Sequence, residues 1–303
     1  MGCTSPGLTN APGFTDFTLP YAEQDGKVVR VPFFAKDAIG PAGSLCSNVS
    51  DLAKWLFLHL NGGKHAMPGL VSKENLAQMH SPQMVIRDVG QLGSSDRMDS
   101  FEEIGSGSYG LGWRINTYRG SNMIHHAGGI DGFSALVSFL PDEDAGVVVL
   151  SNLNGSPLPY LITFAIYDHM LNLNPIDWDR RLKEMVSAQK KAAEQSQALW
   201  AANRRAGSRP SHCSLEDYTG DFEHPAYGAY TVILQDGHLL ACYSDQAFPL
   251  NHYHYDVFEL TLGLDGMTLP VSFFGDVKGC ISHLSIPLEP AVRDIVFTRK
   301  IRD

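Results

Sequence analysis

Residues 122–150 read NMIHHAGGIDGFSALVSFLPDEDAGVVVL, and this stretch decides the fold. Residues 122–126, 133–140 and 146–150 carry the two-residue period that is typical of β-strands. The segments between them are short and contain Gly, Pro and Asp, which favour turns. Because short turns join antiparallel neighbours, the sequence predicts an antiparallel sheet.

The flanking sequence adds helices to this sheet. Residues 109–115 predict one more strand, and residues 157–173 predict an apolar helix that covers the sheet. An earlier helix follows Asn48 or Ser50 as its N-cap and ends at Gly62, and a second helix is predicted over residues 73–79. Antiparallel strands with packing helices are typical of the α+β class.

The last third of the sequence has a different character. Residues 177–205 are rich in Ala, Lys, Gln, Glu and Arg and predict a long, exposed helix. After Leu215 the pattern predicts strands at 230–234, 238–243, 257–262, 267–274, 281–286 and 295–300. Closely spaced strands predict a small all-β barrel or sandwich. We therefore expect an α+β domain at 1–175, a helical linker at 176–212 and the β-domain at 213–303.

The composition excludes several classes of function. With 44% hydrophobic and 18% charged residues, the 303-residue chain is globular rather than disordered. Lys and Arg number 23 against 33 Asp and Glu, so the formal charge of −10 argues against binding to nucleic acid. The five cysteines show no zinc-site spacing, and no metal is predicted. The first residues are unlike a signal peptide, and no 18-residue apolar run predicts a membrane span. The compartment stays open, because a missing N-terminal part would take any signal peptide with it.

The segment around His126 carries chemistry. His126-Ala127-Gly128, followed by Gly129, resembles the HxG motif of serine hydrolases related to class C β-lactamases, penicillin-binding proteins and D-aminopeptidases. The resemblance implies that His126 directs a cationic or hydrogen-bonding side chain toward the substrate carboxylate and the nucleophile. It also implies that Gly128 lets the substrate backbone approach and that the N–H of Gly129 forms half of the oxyanion hole.

Further segments extend the resemblance in the same order along residues 1–175. They are Gly40-Pro41-Ala42-Gly43-Ser44 with the helix that follows, Tyr109-Gly110-Leu111-Gly112-Trp113, and residues 140–152. Tyr218-Thr219-Gly220 and residues 252–256 resemble the lipocalin-like domain that often follows these hydrolases. The implied fold is a partial β-lactamase/transpeptidase-like domain followed by a lipocalin-like barrel. The implied substrate is a small molecule or peptide, and no organic cofactor or metal is required.

The nucleophile motif of the family is missing from its expected place. The family uses Ser in SxxK together with a Tyr-x-Asn or Ser-x-Asn motif, both well upstream of HxG. The chain has neither three-residue motif, and its one SxxK, Ser187 to Lys190, lies downstream in the predicted polar helix. We interpret Ser187 and Lys190 as part of a solvated helix and predict no nucleophile. Residues 105–110 match GxGxxG, but a predicted strand follows them, so no dinucleotide site is expected.

The first residues suggest where the missing part lies. Met1-Gly2-Cys3-Thr4-Ser5-Pro6 resembles the family's Leu-Gly-Met-x-x-Thr segment, which is in mid-domain. We therefore expect the chain to be truncated at its N-terminus relative to the family. The strand at 146–150 would then have an unpaired apolar edge that a partner chain or oligomer covers.

Three functional hypotheses remain open, and so does the question whether the chain itself is an enzyme. The first is a hydrolase or acyltransferase of amide or ester bonds that works through an acyl-enzyme but is inactive without its nucleophile. The second is a pseudoenzyme or binding protein that holds a ligand or partner with its cleft and barrel. The third is that the sequence is part of a longer gene product, the complete hydrolase.

Overall fold

A computed structural model of the chain describes residues 16–24, 26–33, 40–43, 45–63, 70–86, 101–105, 107–212, 214–243, 246–262, 267–289 and 292–300. The chain divides into two compact units, Met1–Ser187 and Ala188–Asp303. The Met1 to Pro6 segment lies outside the described residues.

The first unit contains both strands and helices. Its described elements are β1 (Tyr21–Gln24), β2 (Lys27–Arg30), α1 (Gly40–Gly43), α2 (Val49–Leu60), α3 (Lys73–Met79), β3 (Met84–Val85), β4 (Ser108–Tyr109), β5 (Arg114–Tyr118), β6 (Ser121–Ile130), β7 (Phe133–Leu140), β8 (Ala145–Ser151) and α4 (Leu158–Met170). Helix α5 (Trp178–Asn203) begins in this unit and ends in the second. Of the described helices, none is long and apolar enough to cross a membrane.

The antiparallel sheet predicted from residues 122–150 is confirmed. Six strands lie in the order β3-β4-β5-β6-β7-β8, and each neighbouring pair is antiparallel. Asp131 and Gly132 connect β6 to β7 between the paired residues Ile130 and Phe133. Gly132 has a φ of +88°, which a residue with a side chain rarely adopts.

Helices cover both faces of this sheet. On one face, α4 and the beginning of α5 enclose a core that includes Tyr118, Leu136, Phe164, Tyr167 and Leu182. On the other face, Leu56 of α2 packs with Trp113, Ile124 and Phe139. Burial of each large apolar side chain contributes about 1.5–3 kcal/mol, so the sheet is held from both sides.

Polar side chains fix the ends of these helices. The Oδ1 atom of Asn48 accepts the backbone N–H of Asp51 at 2.9 Å, so Asn48 and not Ser50 caps α2. The Oγ atom of Ser72 accepts the N–H of Asn75 at 3.2 Å and caps α3, whose bounds agree with the prediction.

A buried carboxylate ties the sheet to α4 and α5. Asp168 is 4% exposed and accepts hydrogen bonds from the hydroxyl of Tyr118 at 2.7 Å, Nη1 of Arg119 at 2.7 Å and Nε1 of Trp178 at 2.9 Å. Burial and the neighbouring Asp168 raise the pKa of Tyr118 above its usual range, so its hydroxyl remains a donor. These bonds join the turn between β5 and β6 to both helices.

The second unit contains a closed barrel, as the resemblance predicted. Eight antiparallel strands close it in the order β10-β11-β12-β13-β14-β15-β16-β9: β9 (Gly220–His224), β10 (Gly228–Gln235), β11 (His238–Tyr243), β12 (Gln246–His254), β13 (Val257–Leu262), β14 (Met267–Gly275), β15 (Ile281–Ile286) and β16 (Ile295–Arg299). Its interior is filled by apolar side chains, among them Phe222, Phe258, Phe273 and Phe297. Trp200 near the end of α5 stacks on Tyr253 of β12, with ring centroids 4.1 Å apart.

Some predicted strands were wrong in extent. Residues 109–115 are not one strand, because a turn follows Tyr109. In that turn Gly110 donates its N–H to the carbonyl of Trp113 at 2.8 Å, and Gly112 has a φ of +81°. Strand β6 continues past residue 126 to Ile130, because β7 pairs with it along that whole length. Strands β1, β3 and β9 were not predicted.

Candidate active site

A cavity of about 1030 Å³ lies in the first unit, on the face of the sheet that α2 covers. The second half of β6 forms part of its lining, including His126, Gly128 and Gly129. Aromatic and aliphatic side chains line much of the rest: Phe17, Phe33, Leu45, Leu52, Trp55, Met79, Leu111, Trp113 and Phe133. A concave, mostly apolar site with few polar groups is typical of ligand pockets.

A backbone carbonyl fixes the imidazole of His126. Its Nδ1 atom lies 2.6 Å from the carbonyl oxygen of Gly112 and 3.5 Å from the hydroxyl of Tyr109. A carbonyl oxygen can only accept a hydrogen bond, so Nδ1 carries a proton. The neutral ring therefore has an unprotonated Nε2, which is a hydrogen-bond acceptor.

The backbone of β6 is open beside this histidine. Strand β5 begins at Arg114, which pairs with His125, so β5 covers β6 only as far as residue 125. The pair Ile130 and Phe133 closes the hairpin with β7 and is hydrogen-bonded. Because pairing alternates along an antiparallel ladder, the N–H groups of Ala127 and Gly129 point away from β7, toward the open edge. The fold thus brings the Gly129 N–H and the His126 imidazole to one stretch of strand.

Gly128 and Gly129 are small residues that face opposite sides of this strand, and Gly128 shares the face of His126. A Cβ atom at Gly128 would lie 3.6 Å from the Cβ of Ala135, and one at Gly129 would meet nothing within 4 Å. Neither position needs a positive φ. The space that a side chain at Gly128 would occupy beside His126 is therefore open to a ligand.

His125 has a structural role. Its side chain points to the opposite face of the strand from that of His126, because adjacent residues of a strand alternate. It is 2% exposed, its Nε2 atom is 3.0 Å from Oδ1 of Asn116, and its ring lies against Tyr160 of α4. The strand thus directs one histidine into the core and the next toward the cavity.

The described residues around the cavity offer no activated nucleophile of the SxxK kind. No lysine occurs among the described lining residues. Ser134 lines the cavity, but its Oγ atom donates to the carbonyl of Leu153 at 2.7 Å and accepts the N–H of Ser156 at 3.0 Å. Burial raises the pKa of the Cys46 thiol, which disfavours the thiolate. Ser187 and Lys190 are exposed on α5.

A pair of histidines packs against Trp55 and Trp113, two residues that line the cavity. Nδ1 of His59 is 2.8 Å from Nε2 of His80, and the ring of His59 contacts Trp55, Trp113 and Phe139. Within the described part of the chain, Nε2 of His59 is buried without a hydrogen-bond partner. Burial, and secondarily His80, lower the pKa of His59 to about 4.

Sequence reasoning missed several groups of this site. The Gly112 carbonyl and the Tyr109 hydroxyl approach His126 only because a turn separates β4 from β5. The two glycines in Gly110-Leu111-Gly112 were the available signal for that turn. No local pattern pointed to the pairing of His59 with His80, because packing of α2 against α3 brings them together.

The comparisons agree with the fold and place the chain in a family. Residues 2–167 match the family model described as "Beta-lactamase", and residues 203–299 match "Domain of unknown function (DUF3471)". Because the first match spans more than half of the chain, the protein belongs to the serine β-lactamase-like hydrolase family.

Its relatives include hydrolases of about twice its length. The chain is 26% identical over 280 residues to "Unguisins hydrolase ungD'" of Aspergillus campestris, covering 87% of the chain and 49% of that protein. It is 26% identical over 300 residues to "Unguisins hydrolase ungD" of Aspergillus violaceofuscus, covering 92% and 52%. Among solved structures, an octameric penicillin-binding protein homologue from Pyrococcus abyssi aligns with a TM-score of 0.46 at 17% identity, covering 98% of the chain and 57% of that protein. The chain thus spans about half the length of the curated relatives it matches.

Proposed function

We propose that the chain supplies the HxG side of an acyl-enzyme site that cleaves or transfers amide or ester bonds of a small molecule or peptide. The observation that carries this proposal is the open edge of β6, where the Gly129 N–H and His126 line one apolar cavity. Family membership and the hydrolase relatives support the reaction class.

Each residue has a defined task in this reaction. A serine hydroxyl gives its proton to a base of the nucleophile segment while its oxygen attacks the carbonyl carbon, and the carbonyl oxygen, as it becomes negative, accepts the Gly129 N–H. As the bond to the leaving group breaks, that group takes the proton from the same base. Water or another acceptor then gives a proton to the base and attacks the acyl-enzyme, and the released serine oxygen takes that proton back. The unprotonated Nε2 of His126 accepts a hydrogen bond from a reacting or substrate group, and Gly128 keeps the edge free of side chains.

The nucleophile of this reaction comes from outside the 303 residues. No SxxK precedes the HxG motif, and the SxxK at Ser187 is exposed on a polar helix without a pocket to lower the pKa of a lysine. The chain alone therefore has no appreciable turnover, since an oxyanion hole cannot replace the covalent route. An in-frame SxxK in the DNA upstream of Met1, or one in a partner protein, would supply it.

A covalent probe tests the assignment. The purified 303-residue chain is treated with a fluorophosphonate and, separately, assayed with a p-nitrophenyl ester. We expect no labelling and no hydrolysis above the buffer rate, and we expect both once a polypeptide that carries the SxxK segment is added. The matched control is His126→Ala in the same reconstituted mixture, which should lose turnover. Labelling of the chain alone that Ser187→Ala abolishes would contradict the proposal.

The alternative is a binding protein without turnover. It is favoured by Ser134, a cavity residue whose Oγ atom is held by two backbone hydrogen bonds and is therefore not available as a nucleophile. The ligand would then occupy the cleft of the first unit, since the interior of the barrel is filled by its own side chains. Addition of an SxxK polypeptide separates the two functions, because a binding protein gains no hydrolysis from it.

The division into a hydrolase-like part at 1–175, a linker at 176–212 and a barrel at 213–303 remains part of this proposal. The family matches at 2–167 and 203–299 support it, while the unit boundary after Ser187 assigns the first turns of α5 to the first unit. Limited proteolysis should cut between residues 176 and 212 before it cuts either side.

We also propose that another strand, from a partner chain or a second copy, covers the free edge of β8. In the described residues, β8 pairs with β7 alone. The register directs the N–H groups of Val147 and Val149 toward β7 and those of Gly146, Val148 and Leu150 toward the free edge. Leu150 is 36% exposed. An apolar edge of this kind favours strand addition.

Hydrogen exchange tests whether that edge is covered. If a strand covers it, the amides of Val148 and Leu150 exchange as slowly as those of Val147 and Val149, and sedimentation shows a species larger than the monomer. A monomer in which Val148 and Leu150 exchange fast while Val147 and Val149 stay protected would refute the covered edge.

A further inference from the structure

We infer that the cavity selects uncharged substrates that carry an apolar group next to the reacting carbonyl, and disfavours substrates with a free carboxylate there. The inference rests on the proposed function, since it assumes that the cavity is the substrate site. It departs from the carboxylate-directed role that the HxG resemblance suggested for His126.

The charges around the cavity are the first observation. Of the described residues that line it, Asp16 alone is formally charged at neutral pH with histidine neutral, and its charge is negative. Neither Lys nor Arg is among them. A carboxylate that lies against these described residues loses its hydration and gains no ion pair from them, so its binding there is unfavourable.

The tautomer of His126 is the second observation. The 2.6 Å contact with the Gly112 carbonyl places the ring proton on Nδ1, so the neutral ring offers a lone pair on Nε2. A lone pair attracts an amide N–H or a hydroxyl and repels a carboxylate oxygen. The Gly112 carbonyl is therefore a positioning group that makes this site an acceptor.

The aromatic wall is the third observation. Phe17, Phe33 and Phe133 form a chain of rings with centroid separations of 6.2 Å and 6.1 Å, and all three line the cavity. Phe133 follows directly after the β6–β7 turn, so the wall lies next to the open edge. An apolar side chain against these rings gains stabilisation from burial that a charged group does not.

An amide satisfies all of these surroundings at once. Its carbonyl oxygen can accept the Gly129 N–H, its N–H can donate to Nε2 of His126, and its apolar side chain can pack on the phenylalanines. A free acid of the same shape can also pack on the phenylalanines, but its negative charge would face the lone pair on Nε2 of His126.

Equilibrium binding to the 303-residue chain tests the inference without any turnover. The probes are N-acetylphenylalaninamide and N-acetylphenylalanine, which share the ring and differ in charge, measured by calorimetry at pH 7.5. We expect the amide to bind at least tenfold more tightly, roughly the effect of 1.4 kcal/mol. His126→Lys should tighten acid binding at least about tenfold relative to the matched neutral variant His126→Gln, because only lysine adds a cation.

The outcomes separate this inference from the proposed function. If the acid binds as tightly as the amide and both shift the His126 resonances, the cavity remains a substrate site and the selectivity is wrong. If neither probe binds and the His126 resonances do not move, the proposed function fails and the inference fails with it.

Nitrogen-15 spectroscopy tests the tautomer directly. In histidine-labelled protein, we expect the neutral ring of His126 to show a protonated Nδ1 and an unprotonated Nε2. Tyr109→Phe is the matched control: it removes the hydroxyl 3.5 Å from Nδ1 but keeps the Gly112 carbonyl, and it should leave the tautomer unchanged. A protonated Nε2 in the neutral ring would overturn the acceptor role.

Discussion

The six-stranded sheet and the eight-stranded barrel use the same antiparallel pairing, but they differ in how many strand edges remain unpaired. In the sheet, β8 has one neighbour among the described residues, and β6 lacks β5 beyond His125. In the barrel every strand has two neighbours. An unpaired edge can accept another strand, whereas a closed ladder cannot. The sheet therefore has backbone groups available for further pairing, while the barrel completes its own pairing.

The two units also differ in what they bury. The barrel core is apolar and rich in aromatic rings. The first unit buries Asp168, His59 and His125, whose stability depends on partners and on protonation. We therefore expect polar substitutions and pH to act on the first unit much more than on the barrel.

The largest effect is expected from Asp168→Ala. It leaves the Tyr118 hydroxyl, the Arg119 guanidinium and the Trp178 indole N–H without their shared acceptor, which should destabilise the first unit by about 3–5 kcal/mol. The measurement is denaturant unfolding followed at amides of β6 and β7. The matched barrel variant is Asp256→Ala, which removes an acceptor for Tyr218 and Ser211 at a more exposed site and should cost about 1–2 kcal/mol. Equal losses of stability in the two variants would contradict the expectation that the first unit depends more on its buried polar groups than the barrel does.

Acid should destabilise the first unit through His59. Its pKa is about 4 in the folded chain, against an ordinary value of 6.5 for histidine, so the unfolded chain binds the proton more readily. The contribution of His59 to the free energy of unfolding is thus fully present above pH 6.5. It falls by up to about 3 kcal/mol as the pH drops from 6.5 to 4. His59→Leu should reduce this slope and leave the part that comes from His80, whose pKa burial also lowers, whereas His238→Gln in the barrel should not change it. A slope that is unchanged in His59→Leu would assign the effect to another group.

Alanine at the turn glycines should separate strain from steric overlap. At Gly132 a Cβ would lie 2.2 Å from the Cβ of Pro20 and the φ is +88°, so Gly132→Ala should cost about 2–3 kcal/mol. Gly237 of the barrel has a φ of +80° but open space around it, so Gly237→Ala should cost about 1 kcal/mol. Thermal unfolding of each variant measures the difference, and similar losses would show that overlap with Pro20 is relieved at little cost.

The smallest effect on stability is expected at Gly128. Its φ is not positive and a Cβ there makes an ordinary 3.6 Å contact, so Gly128→Ala should change the free energy of unfolding by less than about 1 kcal/mol. The added methyl group narrows the open edge, so binding of N-acetylphenylalaninamide should weaken. Unchanged binding would place the ligand away from β6.

Local pattern was sufficient for the elements that pack by their own periodicity. Helix α3 and strands β11, β13 and β15 have the predicted bounds, because apolar alternation and flanking turn residues define them. The single strand over 109–115 was wrong, since two glycines allowed a turn that a period of two does not reveal. Strand β12 carries Pro249, which disfavours a strand locally because it has no N–H to donate, and its neighbours in the barrel override that preference.

For the site, the sequence indicated residues but not their environment. The alternation of His125 and His126 follows from strand geometry and needs no tertiary information. The proton position on His126 depends on a carbonyl 14 residues away, and the pairing of His59 with His80 spans 21 residues. Such contacts depend on packing between elements, so no local motif encodes them.

Closure of the barrel has a consequence for inheritance. All the backbone pairing of its strands lies within residues 220–299, and its aromatic interior comes from residues 218–299. A recombination event that moved this stretch would transfer the complete barrel and would leave no unpaired strand in the remaining protein. A recombination break within the six-stranded sheet would instead separate neighbouring strands and leave their backbone groups unpaired.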